Sequence, residues 1–154
     1  MIARLLLALL LTTGAPARAS DIPFAAPAIA TTSLHGYDAV RARLVADDLT
    51  GTAAAARALA ASDPALAPPA TAVAEAVDLA AMRVAFGELS RAVALGLGSA
   101  APPAKVWAYR CPMVGGYGYW LQTSAGLANP YMGQAMPACG EGVALKAAIK
   151  AAAP

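Results

Sequence analysis

Five sulfur-bearing side chains cluster in the last third of this 154-residue chain. Cys111, Met113, Met132, Met136 and Cys139 lie within 29 residues, arranged as C-P-M followed by M-x-x-x-M-x-x-C. Thiolate and thioether sulfurs are soft donors that select Cu(I), and thiolates also suit zinc. Calcium and magnesium require several oxygen ligands, and Glu141 is the only acidic residue near these sulfurs in the sequence. The residue types therefore point to a site for a soft metal ion.

The spacing allows each motif to contribute two sulfurs. Pro112 fixes one backbone angle between Cys111 and Met113, so both side chains can project toward one point. Met136 and Cys139 are three residues apart and share a face if that stretch forms a helical turn. We therefore predict that four sulfurs from two separate segments meet around one ion.

A disulfide is the competing prediction from the same residues. Cys111 and Cys139 are the only two cysteines of the chain. A bond between them would close a 29-residue loop, which is worth about 3 to 4 kcal/mol in the chain-entropy model. Methionines then serve as core packing, as they most often do. Spacing leaves the metal site, the disulfide and the free thiols as open alternatives.

The sequence contains none of the common motifs of enzymes or of nucleic-acid-binding proteins. It lacks G-x-S-x-G, H-E-x-x-H and a phosphate-binding loop, and the two cysteines are too distant for C-x-x-C chemistry. Charged residues make up 13% and aromatic residues 6% of the composition, too few for a basic, base-stacking surface. We predict a binding protein without catalytic residues that does not bind nucleic acid.

Six segments resemble, in order, the domain-of-unknown-function family numbered 3347. All six lie within residues 34–142, and two of them contain the motifs Y-x-C-P-M and M-P-A-C-G-E. The segments are 46–49, 82–90, 109–113, 119–122, 129–133 and 136–141. The resemblance implies a small, mainly helical extracytoplasmic domain, found alone or attached to adaptors of copper and heavy-metal efflux pumps. A periplasmic adaptor of such a pump is therefore the expected partner.

The resemblance also carries over to individual site residues. It supports Cys111 and Met113 from C-P-M, and Met136 and Cys139 from M-x-x-C-G. Met132 departs from the family pattern, which has an aromatic residue there, so it is at most a supplementary metal ligand. His35, the only histidine, lies beside the apolar stripe of the first predicted helix and is the other supplementary candidate.

Helical periodicity predicts the elements that position this segment. Apolar steps of three and four predict one helix over 33–46 with Ser33 as its cap, and a second over 51–61 capped by Asp48 or Thr50. Pro64, Pro68 and Pro69 then predict a proline-stiffened loop. A third helix runs over 71–95, with Val77 among its helically spaced apolar residues, and Asp78 can start a fresh helix there. Residues 106–110 and 119–122 can pair as a short hairpin, and 143–152 is helical by composition.

The first nineteen residues predict export. Arg4 provides a positive start, residues 5–11 an apolar stretch too short to span a membrane, and Ala17-Arg18-Ala19 a small-residue cleavage site. Removing residues 1–19 leaves nine basic and nine acidic residues, so the mature formal charge is zero. Residues 20–31 follow as a proline-broken extended leader. The expected compartment is the periplasm, and no later stretch of the sequence qualifies as a membrane span.

These observations combine into one expectation. Residues 32–154 form a single domain: a small bundle of three to five helices with an irregular Cys/Met-rich segment over 105–142. Its predicted function is to bind copper, as Cu(I) rather than zinc, for sequestration or for delivery to an efflux system. The alternative is a periplasmic protein-interaction domain stapled by a Cys111–Cys139 disulfide and holding no metal.

Overall fold

The computed structural model describes residues 29–98 and 105–154, so the predicted signal peptide and leader residues 20–28 lie outside it. Within the described residues the fold is mainly helical, as predicted, with a small antiparallel sheet. The elements are α1 (Thr31–Val45), α2 (Leu49–Ser62), α3 (Ala67–Glu75), α4 (Leu79–Gly98), β1 (Trp107–Arg110), β2 (Tyr119–Gln122), β3 (Glu141–Val143) and α5 (Leu145–Ala152).

Aspartates start two of the helices as the sequence predicts. The Asp48 side chain accepts a hydrogen bond from the Gly51 N–H at 2.8 Å, and Asp78 accepts one from the Ala81 N–H at 2.8 Å. Such caps satisfy backbone donors that a helix leaves unpaired at its first turn. The third predicted helix is therefore split at Asp78 into α3 and α4.

Three expectations about helix positions are wrong. Ser33 does not cap α1, because the helix begins at Thr31 after Ala30 and Ser33 is buried within it. Pro68 and Pro69 do not lie in a loop: they stand in the first turn of α3, where a missing N–H costs nothing. Val77 is exposed rather than in the core, because it lies in the break between α3 and α4.

The predicted hairpin is present, and a third strand joins it. β1 pairs with β2 in an antiparallel register that sets Tyr109 opposite Trp120. β3 pairs with the other edge of β1, so that Arg110 lies opposite Glu141. The sheet order β2-β1-β3 makes β1 the central strand, and it brings chain segments from both sulfur motifs to one end of it.

The sheet and the helices share one hydrophobic core. The ring of Tyr37 on α1 stacks on Phe86 of α4 with centroids 5.3 Å apart, and Phe86 meets the edge of Tyr131 at 5.7 Å. Tyr131 in turn contacts Trp120 on β2 at 6.1 Å. A continuous series of aromatic rings therefore joins the Cys/Met-rich segment to the bundle. Across 29–98 and 105–154, no helix combines the length and the apolarity that crossing a membrane requires.

Polar contacts hold the loop before β3 against the helices. Arg83 on α4 donates from Nε to the Pro130 carbonyl at 3.2 Å and forms an ion pair with Asp47, which lies between α1 and α2. Asp47 also accepts from the Gln134 N–H at 3.2 Å. Residues 46–49 and 82–90, two of the segments that resemble the family numbered 3347, therefore hold a third such segment, 129–133, in place.

Candidate metal centre

The C-P-M motif forms a tight turn at the end of β1. The Cys111 N–H donates to the Gly118 carbonyl at 2.9 Å, and the Cys111 carbonyl accepts from the Val114 N–H at 3.5 Å. Met113 lies in this turn and is 62% exposed. The turn therefore presents a thioether sulfur to solvent.

The second motif forms another turn just before β3. The Cys139 N–H donates to the Met136 carbonyl at 3.1 Å, which closes one turn but begins no helix. Extending the β1–β3 register by one residue sets Cys111 opposite Gly140, next to Cys139. Strand pairing thus brings the two motifs together although they are far apart in sequence.

One sulfur from each motif is in contact. Cys139 Sγ donates to Met113 Sδ at 3.9 Å. Two metal–sulfur bonds of about 2.3 Å to sulfurs 3.9 Å apart enclose about 116°, between the tetrahedral and trigonal values. A linear two-coordinate ion would need sulfurs about 4.6 Å apart. The pair is therefore spaced as two ligands of a three- or four-coordinate ion.

The other two predicted ligands differ in accessibility. Met136 is 40% exposed on the same turn as Cys139. Cys111 is 1% exposed and belongs to the hydrophobic core. Cys111 therefore lies in the core, whereas Met113 lies at the surface.

The supplementary candidates lie elsewhere. Met132 packs against the hydrophobic core, and His35 is exposed on α1. Both cysteines are free thiols in the structure. Among the described residues, no three side chains of the His, Cys, Asp or Glu types lie together as a metal-binding group. What the turns bring together is sulfur, from one cysteine and one methionine.

An ion pair and a cation–π contact flank the turns. Arg110 on β1 pairs with Glu141 on β3 at 3.3 Å, and its guanidinium lies 5.9 Å from the centroid of the Tyr119 ring. Both charges are half-exposed and compensate each other. This pair therefore adds no net charge beside the turns, and selectivity for an ion would depend on the softness of the donors.

A surface cavity of about 470 Å³ opens between α4 and the loop that follows Met113. Val84, Val114 and Tyr117 contribute to its walls, as does Arg83, whose Nε donates to Pro130 and whose Nη2 donates to Asp47. In the described part of the chain, no buried side-chain polar atom lacks a hydrogen-bond partner. The cavity thus offers no unpaired buried group that would identify a ligand.

Asn129 is the positioning residue that sequence reasoning missed. Asn129-Pro130 indicates only a turn. In the structure Asn129 is fully buried, and its side chain bonds to Cys139, ten residues away. An asparagine before proline carries no signal for such a partner, so only the fold reveals it.

The chain matches no protein-family model, no curated protein and no solved structure. Its relation to the family numbered 3347 stays a prediction from the quoted segments.

Proposed function

We propose that this protein binds a single soft metal ion, Cu(I), through Cys139 and Met113, and that it sequesters copper or passes it to an efflux system. The observation that carries the proposal is the 3.9 Å contact between their sulfurs, one from each motif. A thiolate gives affinity, whereas a thioether has no proton to lose and stays a ligand in mildly acidic surroundings.

The donor set favours Cu(I) over Zn(II). Structural zinc sites use four ligands of the Cys, His or carboxylate types, and the described residues hold no group of even three. Cu(I) accepts thioethers, and Met136, which lies on the same turn as Cys139, is the candidate for a third sulfur ligand. Cys111 is the fourth candidate, and its burial predicts the smallest contribution of the four.

Anaerobic titration of the reduced protein with Cu(I), against a competing chromophoric chelator, tests this function. We expect one Cu(I) per chain and weaker binding of Zn(II). Cys139→Ser and Met113→Leu should each lower Cu(I) affinity at least about tenfold, or about 1.4 kcal/mol. Met132→Leu is the matched control, because it also removes a thioether from this segment but one that packs in the core.

Two results would overturn the assignment. Wild-type protein that takes up no stoichiometric Cu(I) contradicts metal binding altogether. Unchanged affinity in both Cys139→Ser and Met113→Leu contradicts the sulfur pair as the site, even if copper binds elsewhere.

The second candidate function is the disulfide-stapled interaction domain. The observation that favours it is the strand register, which sets Cys111 opposite Gly140, the neighbour of Cys139. Mass measurement of the protein before and after thiol alkylation, without reductant, separates the two functions. Two alkylated thiols are expected under copper binding, whereas a bonded pair without copper uptake supports the staple.

The proposed compartment is the periplasm, and the proposed partner is an adaptor of a heavy-metal efflux pump. Both rest on the export signal over residues 1–19 and on the family resemblance. Intact mass of the protein recovered from an expressing bacterium should correspond to a chain beginning at Ser20. A mass that retains Met1 to Ala19 would contradict the cleavage site.

A further inference from the structure

Asn129 ties together the segments on both sides of the short 3₁₀ helix Gly133–Ala135. Its side-chain Nδ2 donates to the Cys139 carbonyl at 2.6 Å, and its backbone N–H donates to the Pro137 carbonyl at 2.8 Å. One residue therefore bonds to two positions of the turn that carries the Cys139 thiol.

The oxygen of the same side-chain amide fixes the loop that contains Asn129. Oδ1 accepts from the Tyr131 N–H at 2.8 Å and from the Met132 N–H at 3.3 Å. The amide is 0% exposed, so water does not compete for these bonds. Because Tyr131 packs against Phe86 and Trp120, the loop that holds Asn129 is anchored in the core.

This arrangement matters because a metal site depends on the separation of its sulfurs. Met113 lies on an exposed turn, so the precision of the 3.9 Å pair has to come from the Cys139 side. The backbone of Cys139 is held by Asn129 at its carbonyl and by Met136 at its N–H. Groups hydrogen-bonded behind metal ligands orient those ligands, and losing one typically lowers metal affinity about 10–100-fold.

We infer that Asn129 is a positioning residue that sets the Cys139 thiol opposite Met113 for metal binding, an inference that rests on the proposed Cu(I) function. It touches no ion itself and acts through the Cys139 backbone. Nothing in the sequence motif assigns it this role.

Asn129→Asp tests the inference with minimal change of shape. The aspartate keeps an oxygen for the Tyr131 N–H but replaces the donor to the Cys139 carbonyl with a second acceptor. Gln122→Glu is the matched control. Gln122 is an equally buried amide of the same segment, and its Nε2 donates to the carbonyls of Ser124 and Gly126 rather than to the sulfur turns.

Both variants should lower the unfolding temperature, because each buries an acid against carbonyl oxygens. Only Asn129→Asp should weaken Cu(I) binding, by about 10- to 100-fold in the chelator competition. It should also raise the alkylation rate of Cys139 in the metal-free protein, identified by peptide mass, while Gln122→Glu leaves that rate unchanged.

The outcomes separate this inference from the function on which it rests. Wild-type protein that binds no Cu(I) overturns both. Wild-type binding with equal affinities for Asn129→Asp and Gln122→Glu overturns only the role of Asn129. If Asn129→Asp does not fold, Asn129→Ser carries the same test with Gln122→Ser as its control, because serine is too short to reach Cys139 and buries no charge.

Discussion

Gly140 holds the backbone directly behind Cys139 in a conformation that favours glycine. Its φ is +140°, and a Cβ there would lie 2.9 Å from the Trp120 ring and 3.0 Å from the Arg110 carbonyl oxygen. Both neighbours are fixed, since Trp120 is buried and Arg110 belongs to β1. We expect Gly140→Ala to destabilise the fold by about 2 to 4 kcal/mol in chemical denaturation, from strain and overpacking together.

Gly142→Ala provides the control for this prediction. Gly142 lies two residues further along, in β3, and a Cβ there makes only an ordinary contact of 3.9 Å with Tyr109. Its effect should stay within about 0.5 kcal/mol. Equal losses in Gly140→Ala and Gly142→Ala would show that the close packing behind Cys139 contributes nothing.

At the scale of single residues, the sequence indicates which side chains could bind a metal, but it does not predict which of them are buried. Donor softness and motif spacing select Cys111, Met113, Met136 and Cys139, and the structure brings the sulfurs of Met113 and Cys139 into contact. The same reasoning treats Cys111 as an equal ligand, although the fold buries it. Arg41 on α1 is a second example: it is buried, pairs with Asp38 and donates to the Ala128 carbonyl, although a charged side chain is typical of a helix surface. Burial depends on contacts between distant segments, which periodicity within one helix does not contain.

At the scale of elements, Arg83 docks the loop before β3 onto the helices. Its bonds to Asp47 and Pro130 join α4 to the junction of α1 and α2 and to the Cys/Met-rich segment. Arg83→Met keeps the apolar stem but removes every donor. We expect it to cost about 1 to 3 kcal/mol and to speed amide hydrogen exchange at Gln134, whose N–H donates to Asp47.

Arg43→Met tests whether this effect is specific to the docking contact. Arg43 on α1 pairs with Asp48 at 3.0 Å, but its side chain is 58% exposed, and this pair joins α1 to the start of α2 rather than to the loop before β3. Exposed pairs of this kind contribute little, so the variant should lose under about 0.5 kcal/mol and leave Gln134 exchange unchanged. Faster Gln134 exchange in Arg43→Met, or no change in Arg83→Met, would contradict the docking role.

The elements themselves are predictable where a local signal exists. Asp48 and Asp78 cap helices within three residues of themselves, and two short segments around a Gly-rich turn indicate the β1–β2 hairpin. β3 carries no such signal, because Glu141 and Gly142 are exposed and only pairing with β1 makes them a strand. The sequence therefore does not predict β3, although the pairing of β3 with β1 brings Cys139 close to Met113 in the proposed site.

For the whole molecule, helical periodicity in the sequence predicts a mainly helical fold. It does not predict that the Cys/Met-rich segment packs against the helices. Tyr37 shows why: its hydroxyl accepts from the Leu121 N–H at 3.1 Å and bonds Ser90 at 2.8 Å, which itself donates to the Tyr119 carbonyl. One residue of α1 thus helps to hold β2. Side chains with partners more than fifty positions away leave no trace in local pattern.

These buried tyrosines make the whole fold sensitive to alkali. Burial raises the pKa of Tyr37, Tyr117 and Tyr131 above the ordinary value near 10, because a phenolate away from water would lose its hydration. Well below pH 10 these hydroxyls are protonated in the folded and the unfolded chain, so stability is unaffected; above it the unfolded chain releases protons that the folded chain keeps. The free energy of unfolding should therefore fall by about 1.4 kcal/mol per pH unit for each of the three. Denaturation at pH 8, 10 and 11 measures this slope, and Tyr131→Phe should reduce it by about a third. An unchanged slope in Tyr131→Phe would mean that this hydroxyl ionises equally in the folded and unfolded chains.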